Sequence, residues 1–336
     1  MTEIKIFSDL ADRFYALYFD KEYEQALDIV VRESPRFPDY SIVAAWWQMR
    51  MMALTGDVTG ALHTLEKVLA QEQWYHEDAL HNVPDLAALQ GMPKFEDFVA
   101  RCRERRLEAV AKASPSLTIF EPQNHPRPWP LLIPLGAWPT DPNFADHWAP
   151  ATDEGWLVAI PQSSQVGWYS GLYVWNDIER TNPEIQQHYI ELNEKYELDK
   201  NRVITAGFSK HCQAALQVAL SGTNPRQCGF IAVEAWLSDM RVWPQFDMGA
   251  WPQIIEANAN PALRCYFVAG KENTKYYEAA EKAIELLRAQ GIACKLEGTS
   301  NKRHGFPPEF EASLKRALDF ILKPQSSLKG KGNRHE

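Results

Sequence analysis

The chain has 336 residues, more than one ordinary core holds and enough for two domains. Its 45% hydrophobic and 24% charged residues are typical of a globular protein, which excludes a disordered or fibrous chain. A net charge of −9 argues against nucleic-acid binding, which needs a basic face, and no apolar run reaches the roughly eighteen residues of a membrane span.

The first residues, MTEIKIFSDLADRF, are acidic and amphipathic. They lack the basic start and apolar stretch of a signal peptide, so a cytoplasmic location is expected. Residues 1–112 follow a helical pattern, with Leu10, Phe14 and Leu17 at helical spacing. The prolines Pro35, Pro38, Pro84 and Pro93 fall between segments, where helices can end. Two stretches, Tyr23-Glu-Gln-Ala-Leu-Asp-Ile-Val and Val58-Thr-Gly-Ala-Leu-His-Thr-Leu, align without gaps. The small residues Ala26 and Ala61 match, where two helices can cross closely. This spacing resembles the tetratricopeptide helix-turn-helix repeat, with a second copy that lacks the proline matching Pro38. The resemblance implies a helical-hairpin domain, and with it a possible protein partner.

A linker is expected at 113–118, with Ser114-Pro115-Ser116 as breaker. Residues 119–323 then alternate short apolar runs with amphipathic segments. Strands are predicted at Leu131–Leu135, Trp156–Ile160, Val203–Ala206, Gly229–Val233, Cys265–Ala269 and Ile292–Leu296. Helices are predicted at Asn182–Tyr196, Cys212–Leu220, Tyr276–Gln290 and Phe310–Leu322. The alternation gives an α/β class with a mostly parallel, doubly wound sheet. The polar tail 324–336 reads as disordered.

The motif Ala206-Gly207-Phe208-Ser209-Lys210-His211 lies between a predicted strand and a predicted helix. A serine there sits on a sharp turn with its hydroxyl exposed, and the pattern resembles the nucleophile elbow of the α/β-hydrolases. Gly207 supplies the small residue two places before the serine. His211 stands where that pattern has a second glycine, and such a ring crowds the elbow or needs compensation. Arg303-His304-Gly305-Phe306 follows the final predicted strand, which places His304 as the base. For the third member, Ala269-Gly270-Lys271-Glu272-Asn273 follows the strand Cys265–Ala269. Related hydrolases read Gly-x-x-Asp there, which puts Asn273 at the acid position. Glu272 is the favoured acid, Asn273 an orienting residue and Asp239 an alternative. The resemblance also implies an oxyanion hole from the Lys210 N–H and that of Ala137 or Trp138, after Gly136.

Further stretches carry the likeness. They are Val158-Ala-Ile-Pro-Gln-Ser-Ser, Trp175-Asn-Asp177, the lead from Tyr196 to Ser209, and Leu287-Arg-Ala-Gln-Gly-Ile. Together they resemble the phospholipase/carboxylesterase and dienelactone-hydrolase branch of the α/β-hydrolase superfamily. The fold expected is therefore an α/β-hydrolase fold preceded by an all-α helical-hairpin domain. The resemblance implies a serine hydrolase acting on a small-molecule carboxylic ester or thioester. Gly136, Trp148, Trp168 and Trp175 are the candidate pocket lining. The alternative is a catalytically impaired member acting as a binding or scaffolding module. The five cysteines show no CxxC or metal-ligand spacing, and neither a GxGxxG nor a GxxxxGK[ST] motif occurs. No cofactor and no metal are expected.

Overall fold

The computed structural model describes residues 6–136, 144–222, 225–237 and 248–323. The expected Ala137, Trp138, Asp239 and tail 324–336 lie outside them. The chain divides into two units. One runs to Ala113 and takes in Val166–Leu172, and the other holds Ser114–Gln165 and the residues from Tyr173 onward.

The first unit is built from α1 (Phe7–Phe19), α2 (Tyr23–Glu33), α3 (Ser41–Leu54), α4 (Val58–Ala70), α5 (Glu77–Asn82) and α6 (Pro93–Lys112). Helices α1 to α4 pack in sequence, each on the next. Ala26 and Ala61 are both fully buried, which is what close crossing requires. Phe14 stacks on Trp47 with ring centres 4.4 Å apart. Ionic clamps tie the helices, Arg50 to Asp85 at 2.5 Å and Arg106 to Glu77 at 2.5 Å. The segment Val166–Leu172 belongs to this unit. Its Trp168 carbonyl accepts from the His76 N–H at 2.7 Å, and the Ser170 N–H donates to the Trp74 carbonyl at 3.0 Å.

The second unit opens with β1 (Ser116–Phe120), β2 (Trp129–Leu135), α7 (Phe144–Trp148), β3 (Leu157–Gln162), α8 (Ile178–Lys195), β4 (Leu198–Phe208) and α9 (Cys212–Leu220). Then come β5 (Gly229–Val233), α10 (Trp251–Ala257), β6 (Arg264–Gly270), α11 (Thr274–Ala289), β7 (Ala293–Thr299) and α12 (Phe310–Leu322). The strands form one sheet in the order β1-β3-β2-β4-β5-β6-β7. All neighbours are parallel except β1, which runs antiparallel along β3. Residues Ser116–Thr118, expected in the linker, are the start of β1. Their alternating, half-exposed side chains suit an edge strand and leave no continuous apolar run to read.

Successive side chains point to opposite faces. Ile133, Phe230 and Phe267 pack under α8, α9 and α11. Leu132, Ile231 and Tyr266 pack under α7 and α12. Both faces are thus covered, as a parallel sheet needs. Among the described residues no helix is long and apolar enough to cross a membrane.

Candidate active site

The order of strands decides where the site forms. From β2 the chain goes to β3 on one side, then returns to β4 on the other. The crevice at the carboxyl ends of β2 and β4 is therefore the switch point where open α/β sheets bind ligands. Leu135 of β2 lies opposite Gly207 of β4, so Gly136 leaves the sheet beside Phe208, the last residue of β4.

Ser209 is the first residue after β4, and its φ is 54°. A left-handed serine is strained, and it holds only where the surroundings fix it. Gly207 shows how the turn is fixed. A Cβ there would stand 2.8 Å from both the nitrogen and the Cα of Cys212, at the start of α9. Only glycine lets strand and helix approach that closely.

His304 lies between β7 and α12, and its Nε2 is 2.8 Å from the Ser209 Oγ. Tyr276 stacks on the imidazole at 4.2 Å and Phe208 at 4.9 Å. Phe306 backs Phe208 at 4.8 Å. His304 is exposed as a residue, while these rings cover the faces of its imidazole. That desolvation, with the charge of Lys275 adding, pushes the His304 pKa down to about 4. The imidazole is thus neutral at neutral pH and free to take a proton.

Residues 6–110 match the family model for the A/B hydrolase-like, N-terminal domain. The chain has the α/β-hydrolase fold. Among solved structures it is similar to an uncharacterized protein from Bacillus cereus ATCC 10987, at 21% identity, covering 95% of this chain and 99% of that one, with a TM-score of 0.48. It is similar to a Bacillus cereus carboxylesterase at 14% identity, over 64% and 98% of the two chains, with a TM-score of 0.43. An S-formylglutathione hydrolase from Agrobacterium tumefaciens aligns at 15% identity, over 63% and 92%, with a TM-score of 0.47. No curated protein matches the sequence significantly.

In this α/β-hydrolase fold the acid position departs from expectation. The Glu272 carboxylate pairs with Lys302 at 3.0 Å, on a surface where the glutamate side chain is 59% exposed. Among the described residues neither Glu272 nor Asn273 bonds to His304. The Asn273 Nδ2 donates instead to Glu234 Oε2 at 3.0 Å, and the Gly270 N–H donates to Glu234 Oε1 at 2.9 Å. No motif in the sequence marks Glu234. The available signal was its place directly after Gly229–Val233, as Ser209 follows β4.

The Lys210 N–H sits in the first turn after β4, where helical N–H groups have no partner within the helix. Burial lowers the pKa of its ammonium, which has no acidic partner among the described residues. His211 fits beside the elbow with its Nε2 buried and, among the described residues, without a hydrogen-bond partner. Burial and the charge of Lys210 push it down to about 4, so it is a neutral ring.

The tryptophans are placed otherwise than expected. Trp148 is fully buried against Phe310 at 5.1 Å and Phe306 at 5.9 Å, and Phe306 in turn backs the Phe208 that lies on His304. Trp175 belongs to the core under α8 and α9. Trp168 packs in the helical unit, against Trp46 at 5.2 Å and Tyr75 at 6.2 Å. Gly136 is fixed by packing too, since a Cβ there would meet the Phe144 ring at 2.6 Å. Among the described residues no cluster of three His, Cys, Asp or Glu side chains is placed to hold a metal ion.

Proposed function

We propose that the chain is a serine hydrolase that cleaves a carboxylic ester or thioester through an acyl-enzyme intermediate. The observation that carries the reading is the 2.8 Å approach of His304 Nε2 to Ser209 Oγ, on a serine held at φ 54° over the switch point of the sheet. A nucleophile within hydrogen-bond reach of a neutral base is the arrangement acyl transfer needs.

In the first step Ser209 Oγ attacks the carbonyl carbon and its proton passes to His304 Nε2. The Lys210 N–H steadies the oxyanion, with Ala137 or Trp138 as the proposed second donor. The tetrahedral intermediate collapses, and His304 returns the proton to the departing alkoxide or thiolate. Water then attacks the acyl-serine. His304 takes its proton and delivers it to Ser209 as the acid leaves. The ester-cleaving branch rests on the sequence stretches from Val158 to Ile292 given above.

The test is fluorophosphonate labelling of the purified protein beside Ser209→Ala and His304→Ala, followed by turnover of a short-chain nitrophenyl ester. Labelling and turnover that vanish in Ser209→Ala support the reading. A folded wild type that neither labels nor turns over refutes it and leaves the scaffolding alternative.

A further inference from the structure

Strands β4 and β5 run parallel with Phe208 opposite Val233. The residues that leave them, Ser209 and Glu234, are therefore neighbours at the carboxyl end of the sheet. Both have left-handed backbone, with φ of 54° and 46°. A non-glycine residue stays there only where several contacts hold it, and such strain clusters at functional sites. Glu234 is held on every side. It is 1% exposed, its N–H donates to the Val268 carbonyl at 2.9 Å, and both carboxyl oxygens accept hydrogen bonds.

The second of those bonds leads toward the base. Asn273 directly precedes α11, and its carbonyl accepts from the Tyr276 N–H at 3.1 Å. Tyr276 is the ring stacked on His304 at 4.2 Å. From the other side the Trp236 N–H, two residues past Glu234, donates to the Ser209 carbonyl at 3.1 Å. Glu234 is thus tied to the base through the first turn of α11 and to the nucleophile through its own loop.

We infer that Glu234 is a positioning residue for His304, acting through Asn273 and Tyr276 and engaging fully only as a carboxylate. The inference rests on the hydrolase reading above. A carboxylate accepts from Gly270 and Asn273 together, with charge assistance. A protonated carboxyl turns one oxygen into a donor that faces N–H donors, which loosens the clamp. The titratable groups that feel its charge are the Cys212 thiol from α9 and the Tyr276 hydroxyl from α11. Among the described residues no cation pairs with it. Burial, opposed by the two hydrogen bonds, pushes its pKa up to about 7.

The experiment is the rate of fluorophosphonate labelling from pH 5 to 9 for the wild type and Glu234→Gln. Glutamine keeps the size of the side chain and removes its titration. The wild type is expected to gain about tenfold in rate as the pH rises through about 7, the worth of a charge-assisted bond, and Glu234→Gln to lose that rise. A glutamine variant with the wild-type profile overturns the inference. Asn273→Ala decides the matter if Glu234→Gln fails to fold. A slowed rate with the rise flattened supports the relay, and a wild-type profile overturns it. A wild type that does not label at any pH refutes the hydrolase reading instead, so the two failures are distinct.

Discussion

Gly207→Ala isolates what holds the nucleophile. The added Cβ stands 2.8 Å from the Cys212 nitrogen and Cα and 2.9 Å from the His211 carbonyl oxygen. Carbon atoms rest about 3.5–4.0 Å apart, so the start of α9 must retreat by about 0.7 Å. All three atoms are backbone, so no side chain can swing away. Overpacking of this kind costs about 1–3 kcal/mol. Because a displacement of about 1 Å at a reacting group costs roughly a hundredfold in rate, the labelling of Ser209 should fall by about tenfold or more. Gly305→Ala is the matched control, since a Cβ there meets nothing within 4 Å. Urea unfolding gives the stability and fluorophosphonate labelling the rate. A Gly207→Ala protein that unfolds at the wild-type midpoint and labels within about twofold of wild type would show that close strand–helix approach does not set the serine geometry.

Three further outcomes are expected. The labelling rate should have a lower limb near pH 4, where His304 takes up a proton, and Lys275→Ala should move that limb to higher pH because the lysine charge opposes protonation; a limb left in place argues that burial alone sets it. Glu272→Ala should change labelling by less than about twofold and stability by about 0.5 kcal/mol at most, as its partner Lys302 is on the surface. A large loss of rate there would restore Glu272 as the acid. Glu77 is held at about 2 by the hydrogen bond from Arg106, down from 4.5, so Glu77→Gln should cost about 1–2 kcal/mol at neutral pH, solvent screening removing part of the shift. The stabilisation is complete above the unfolded value of 4.5 and disappears as the pH falls toward 2. The two urea midpoints should therefore converge on acidification, and a gap that persists at pH 2 refutes the assignment.

The sequence showed those parts of the site that depend on local pattern. Ser209 was legible because Gly207 and the flanking strand and helix define the turn, and His304 because it follows the last strand. The acid position was not, because a carboxylate two residues from a strand end reads the same whether it faces the base or the solvent. Glu272 reaches Lys302, and only the register of β5 beside β4 shows that Glu234 stands next to Ser209. Tryptophan density points to apolar burial and says nothing about its partners, and Trp148 and Trp175 fill the core rather than line a pocket. Strand β1 was missed because Ser-Leu-Thr-Ile-Phe alternates on a sheet edge and follows a proline.

The chain crosses between its two units three times, after Ala113, after Gln165 and after Leu172. The helical unit is thus a discontinuous body, closed by seven residues that arrive from far along the polypeptide. A protease cut near Ala113 would leave a nicked protein whose first piece still grips Trp168 and Tyr169. A fragment ending there would present Trp46 and Tyr75 to water with the Trp168 ring that packs on them gone. Transplanting the helices onto another protein therefore means moving two segments together, and the loop between β3 and α8 travels with them as part of the graft.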